Sequence, residues 1–225
     1  MNGINHAATA LLVKRAYPDA PLLLLLFGTI LSDLLWALLV LLGIEHITYI
    51  RKVSSFSGIN LEFMPYSHAI TSVILVSAVA ALVSYSYTKK SKVAAAFAIA
   101  IFSHVVLDLA VHAHDIPVTW FSDSIKLGVG LYNVPVWAFI VEIAYMLICW
   151  FLFGRNYVLL FWMLVLNLSA LTLYFPGILG PEAWFNEGDM YWLFPVLAVL
   201  NSIVSIFVVH ISVERYSRPL GKIKA

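Results

Sequence analysis

Six long apolar runs, spaced by short polar stretches, restrict this chain more than any other feature. A hydrocarbon core about 30 Å thick takes about 20 apolar residues in helix. Runs near 21–44, 68–88, 93–113, 133–153, 157–177 and 190–211 reach that length. They are continuous rather than alternating, which specifies helices and not a barrel. The chain is 62% hydrophobic and only 11% charged, with a mean hydropathy of +0.94, whereas about a quarter of the residues in a soluble domain are charged. The expected fold class is all-α: a polytopic membrane helix bundle of about six transmembrane helices. The segment "INHAATALLVKRAY" is too short to span and reads as an amino-terminal half-membrane helix rising from the turn "KRAYPDAP". Residues 1–225 read as a single integral membrane domain with no internal repeat. The first run exceeds the roughly 7–15 residues of a signal h-region and is expected to stay in the mature protein.

The few charges report topology. With the amino terminus inside, Lys14, Arg15, Lys89, Lys90, Lys92, Arg155, Arg215, Arg218, Lys222 and Lys224 fall on the cytoplasmic side, and Arg51, Lys52 and Lys126 outside. The positive-inside rule therefore predicts a multi-pass protein of the cell membrane with both termini cytoplasmic. Trp120, Phe121, Trp184 and Trp192 then fall in an outer aromatic belt. A net charge of +1 leaves no basic face for nucleic acid. The lone Cys149 supports neither a disulfide framework nor a thiolate cluster and reads as packing.

Against this background the stretch "FSHVVLDLAVHAHD" stands out, because charged groups at membrane depth cost at least about 2.5–3.5 kcal/mol each unless paired, hydrated or metal-bound. His104 and Asp108 are four residues apart and share a helix face that Ser103 and Val105 do not. His112 continues the stripe toward the outer surface. Asp33 lies mid-span in "TILSDLLWALL", His68 opens the second span, and Glu142 sits about 13 Å below the outer start of the fourth. By helix rise, His6 is about 12 Å, Asp33 and His104 about 18 Å, and Asp108 about 24 Å above the cytoplasmic ends. Helix tilt makes these heights overlap. His46, Glu45, Glu62 and Asp123 read as solvated loop residues, His210 with Glu214 as an interfacial pair, and Asn167 and Asn201 as interhelical hydrogen bonders.

Imidazole mixed with carboxylate suits zinc or a similar divalent ion such as Mn2+ or Co2+, whereas magnesium and calcium sites are dominated by oxygen. His6, Asp33, His68, His104 and Asp108 exceed the ligands of one zinc. Adding His112, His114 or Glu142 makes a multinuclear site the expectation. Asp33 or Glu142, where it is not a ligand, is the expected acceptor of a water proton. Nothing in the chain forms a Gly-x-Ser-x-Gly elbow, a P-loop or a kinase set.

The order of these residues carries a resemblance. A near-terminal His6, a mid-span Asp33, His68 in "YSHAIT" and then "SHVVLDLAVH" resemble the YdjM-like membrane-bound metal-dependent hydrolases, whose pattern is H…D…(T/S)HS…HxxLD. That family is distantly similar to zinc-dependent phospholipase C and nuclease P1, all-helical enzymes with a zinc cluster. The resemblance covers roughly residues 4–145 and implies Asp33, His68, His104 and Asp108 around one metal. It also implies His6 with bridging Asp108 around a second, and His112 or His114 with Glu142 around a third. The chain departs from the pattern where "MPYS" replaces a frequent "HRG" and where position 138 is Ala. Residues 157–211 lie outside the resemblance and read as two accessory transmembrane helices.

The expected function is a membrane-embedded hydrolase acting on a phosphoester of a lipid or lipid-linked substrate, with its site toward the outer face. The loop "HDIPVTWFSDSIKLGVGLYN" reads either as a lid over that site or as a connector. Two other classes remain: a metal-ion or proton-coupled transporter, and a non-catalytic protein with a structural metal. Transport calls for a polar path to both faces, whereas "VSAVAALVSYS" and "SKVAAAFAIA" offer only hydroxyls and small residues.

Overall fold

A computed structural model describes residues 1–49, 59–175 and 192–216. Arg51, Lys52, Trp184, Arg218, Lys222 and Lys224 lie outside the described residues, as does the side chain of Asp123. The chain is mostly helical. Its order is α1 (Gly3–Ala16), α2 (Leu22–Thr29), α3 (Leu31–Leu41), β1 (His46–Tyr49), β2 (Ile59–Phe63), α4 (Ile70–Thr88) and α5 (Ser91–Val111). There follow β3 (Ile116–Thr119), β4 (Ser122–Leu127), a 3₁₀ turn (Leu131–Asn133), α6 (Pro135–Phe153), α7 (Tyr157–Ser169), α8 (Leu171–Tyr174) and α9 (Leu193–Tyr216).

Among the described residues α4, α5, α6 and α9 are long and apolar enough to cross a membrane, and α2 with α3 makes a fifth span if the bent pair counts as one. These helices point to a membrane protein. Six continuous spans are not all seen among the described residues. The first run breaks at Ile30 with a 45° bend. The fifth breaks at Ala170 into a 13-residue α7 and the single turn of α8. The all-α expectation also misses two antiparallel hairpins, β1–β2 and β3–β4.

The short amino-terminal helix is the centre of the bundle. Every residue of α1 from Gly3 to Leu11 is buried, and the helix packs against α2, α5, α6, α7 and α9. Its small residues let backbones approach closely, which is how helices associate where lipid removes the hydrophobic drive. Gly3 meets α9 so tightly that a Cβ there would lie 2.6 Å from Ser202 Oγ and 3.1 Å from its Cα.

Basic residues gather at the helix ends away from the hairpins. Lys14 Nζ donates to the carbonyls of Pro18 at 2.6 Å and Ala20 at 2.8 Å, and Arg15 donates to the Leu152 carbonyl. Arg155 lies over the Phe151 ring at 4.2 Å. At the opposite end the hairpins cover the mouth of the bundle. Lys126 Nζ donates to the Glu62 carbonyl at 2.9 Å and ties one hairpin to the other. The aromatic tip of β3–β4 is exposed, Phe121 at 75%, beside the first turn of α4, where Trp120 N donates to Thr71 Oγ1 at 3.3 Å.

The glycines after β4 serve close approach to the end of α5. Val129 N donates to the Leu109 carbonyl at 2.8 Å and Gly130 N to the His112 carbonyl at 2.6 Å. These bonds satisfy carbonyls at the end of α5 that the helix itself leaves open. Gly128 adopts φ +153°, and a Cβ there would overlap the Ala113 carbonyl.

Candidate metal centre

Four elements deliver the cluster. α5 places His104 and Asp108 one turn apart on its buried face, α1 supplies His6 from the bundle axis, and the residue pair before α4 supplies His68. Asp33 comes from the first turn of α3. The break at Ile30 makes this arrangement work in two ways. It gives Asp33 the positive end of a helix dipole, which favours an anion. It also leaves the Thr29 carbonyl to accept from His104 Nδ1 at 2.8 Å. Irregular backbone at membrane depth is tolerated only where it is buried or lines a cavity.

His104 Nε2 is the atom on which the others centre. His104 Nε2 is 3.0 Å from Asp108 Oδ2, 3.4 Å from Asp33 Oδ1 and 3.3 Å from His68 Nε2. His68 Nε2 is 3.8 Å from Asp33 Oδ1 and 3.7 Å from Asp108 Oδ2. Ligands about 2.0–2.2 Å from a tetrahedral zinc stand about 3.3–3.6 Å apart; the three separations from His104 lie near or below that edge, and the two from His68 to the carboxylates are longer. On the other carboxylate oxygen, Asp108 Oδ1 is 3.3 Å from His6 Nε2 and 3.9 Å from His112 Nε2. The α-amino group of Met1 is 2.6 Å from the same oxygen. The His6 and His104 rings stack with centroids 4.0 Å apart. Two groups can therefore hold a metal ion, Asp33 with His68 and His104, and His6 with His104 and Asp108. His104 has one Nε2 to give, so Asp108, with an oxygen toward each group, is the residue able to bridge them.

Burial is nearly complete except at one corner. The Asp33 side chain is 19% exposed, against 0–4% for His6, His68, His104 and Asp108. Its second oxygen is 3.5 Å from Ser202 Oγ, so α9, expected to be accessory, reaches the edge of the cluster.

The remaining expected residues separate. α5 ends at Val111, which puts His112 at its cap rather than on the helical stripe; its Nδ1 is 3.4 Å from Asp115 Oδ2 and its ring lies against Tyr132. His114 is exposed and joins neither group. Glu142, given by sequence to a third metal or to water activation, is also in neither group. It is fully buried among donors: Asn2 N at 3.1 Å, Asn5 Nδ2 at 2.5 Å and Tyr132 OH at 3.0 Å. Burial and the charge of Glu142 hold the Tyr132 phenol above its ordinary range, protonated and donating. The carboxylate thus sits at the amino end of α1, where the helix dipole favours it. Glu142→Ala is expected to strand these donors at about 1–3 kcal/mol each and to lower the thermal unfolding temperature of detergent-solubilised protein by several degrees. An unchanged melting curve would contradict this role.

Two further expectations are corrected. Glu45 is not a solvated loop residue but fully buried. It accepts from Tyr66 N at 2.8 Å, Ser67 N at 2.9 Å and Ser67 Oγ at 2.6 Å, and Ser67 Oγ is 2.8 Å from His68 Nδ1. A carboxylate twenty residues upstream leaves no local spacing signal; the hint available was the seryl hydroxyl beside His68. His210 forms no ion pair with exposed Glu214 among the described residues. Asn167 does bond between helices, donating to Asn5 Oδ1 at 3.4 Å and Met146 Sδ at 3.0 Å.

Comparison with family models, with curated proteins and with solved structures yields no match to this chain.

Proposed function

We propose that this protein is a membrane-embedded, zinc-dependent hydrolase of lipid or lipid-linked phosphoesters, with its hairpins and site toward the outer face and its basic helix ends cytoplasmic. One observation carries the reading: His104 Nε2 lies 3.0–3.4 Å from Asp108 Oδ2, His68 Nε2 and Asp33 Oδ1 inside an apolar bundle. Because the Thr29 carbonyl takes the Nδ1 proton of His104, the neutral ring presents an Nε2 lone pair to two carboxylate oxygens and a second imidazole. A divalent ion in either group would draw on that lone pair and offset the carboxylate charge. Each group, two imidazoles and one carboxylate, forms a zinc-type donor set with a position left open.

Bound there, a divalent ion supplies Lewis acidity, activating water near neutral pH and polarising a phosphoryl oxygen. The residues do the rest. Asp33 Oδ1 belongs to the ligand set, and Oδ2, at the one exposed corner, accepts the proton of the attacking water. Ser202 Oγ orients that oxygen from α9. The dry walls of α1 and α5 keep bulk water from His6 and His104. With Glu142 saturated by donors, Asp33 is the acceptor of choice. A corner beside α3 and α9 suits a substrate entering from the bilayer.

Detergent-solubilised, metal-replete protein is expected to hydrolyse a lipid phosphoester or a generic phosphodiester, with activity lost to chelators and restored by zinc, manganese or cobalt. Metal-dependent flux in liposomes without product formation would replace this reading by transport.

A further inference from the structure

Glu45, Ser67 and His68 form a buried chain that ends at the metal centre. We propose that Glu45 and Ser67 are positioning residues that set the tautomer of His68 and so make its Nε2 a ligand; the proposal rests on the metal reading above. The argument is one of donors and acceptors. Glu45 Oε1 takes the backbone N–H groups of Tyr66 and Ser67, which anchors the carboxylate and aims Oε2 at Ser67 Oγ, 2.6 Å away. A carboxylate only accepts, so the seryl hydroxyl spends its single proton on Glu45. What Ser67 Oγ presents to His68 Nδ1 at 2.8 Å is a lone pair, and Nδ1 must carry the ring proton. In the neutral ring His68 Nε2 is then the bare nitrogen, facing His104 Nε2 and the carboxylates of Asp33 and Asp108.

His104 reaches the same tautomer by another route, the Thr29 carbonyl. The two imidazoles are thus held from opposite sides, one by a broken helix and one by a loop. Such outer partners orient metal-bound histidines and raise their basicity, and losing one costs about 10–100-fold in metal affinity. All three groups of the chain are at most 3% exposed, so water offers no substitute for the missing link.

Glu45→Gln is the decisive variant because it keeps shape and reverses polarity. Its amide oxygen still accepts from the two backbone N–H groups, but its NH2 donates to Ser67 Oγ. The hydroxyl proton is then freed for His68 Nδ1, which moves the ring proton to Nε2 and closes that ligand position. Full-length protein in detergent is tested in two ways. In the metal-free protein above the ordinary imidazole range, ring 15N shifts of His68, assigned against His68→Gln, are expected to report Nδ1–H in the native chain and Nε2–H in Glu45→Gln. By competition with a chromophoric chelator, zinc affinity is expected to fall about 10–100-fold in Glu45→Gln and Ser67→Ala and to recover in Ser67→Thr. Native Nε2–H, or zinc affinity unchanged in both Glu45→Gln and Ser67→Ala, would overturn the relay. A native chain that binds no zinc yet shows Nδ1–H would overturn the metal reading alone.

Discussion

His104→Ala and Asp108→Ala are each expected to strip the purified protein of metal. His104 belongs to both ligand groups, and Asp108 turns one oxygen toward each. Losing an outer-shell partner costs about 10–100-fold in affinity; losing an inner ligand from a three-residue group is expected to exceed about 100-fold, enough to empty the site on size exclusion at micromolar protein. The chemistry of the loss differs between the two. His104→Ala removes the imidazole stacked on His6 and frees the Thr29 carbonyl, so its melting temperature falls as well. Asp108→Asn keeps volume, which separates lost ligation from lost packing. Elemental analysis against protein concentration reads the outcome. His46→Ala provides the control, since His46 is exposed on β1 and joins neither group. Full metal content in monodisperse His104→Ala and Asp108→Asn would remove the centre from this cluster.

Asp33→Asn is expected to lower turnover about 10²–10⁴-fold, the range a positioned base contributes. Asparagine preserves side-chain size at the exposed corner but offers neither an anionic ligand nor a proton acceptor. In the native chain the rate is expected to rise with pH through the neutral range, as water activated by a divalent ion ionises near pH 7. Asp33→Asn lowers the rate along that limb and shifts it; His46→Ala and His210→Ala leave it in place. Hydrolysis by Asp33→Asn at the native rate and with the native pH profile would reassign the proton acceptor.

Much of the cluster was legible because water is absent from the bilayer. An ionisable side chain in an apolar helix is too costly to be incidental, and this alone singled out His6, Asp33, His68, His104 and Asp108. Four-residue spacing then put His104 and Asp108 on one face. The same inference singled out Glu142, which the structure leaves out of both groups. Its cost is met by Asn2, Asn5 and Tyr132, donors scattered over the chain that no spacing rule connects to it. Glu45 escaped for the converse reason. It lies just outside an apolar run, where a carboxylate ordinarily meets water, and only the fold of β1–β2 over the bundle buries it.

Run length and charge placement by themselves determined that the chain is a bundle of apolar helices with basic ends on one side and an acidic and imidazole set within. Hydrophobicity and charge cost act residue by residue, so both are readable without contacts. The break at Ile30, the saturation of Glu142 and the chain from Glu45 to His68 were decided by tertiary structure alone. Each depends on which donor meets which acceptor across separate elements, and local sequence does not encode that pairing. The Thr29 carbonyl is the clearest instance: one helical bond given up in the first span supplies the acceptor that turns His104 toward the cluster.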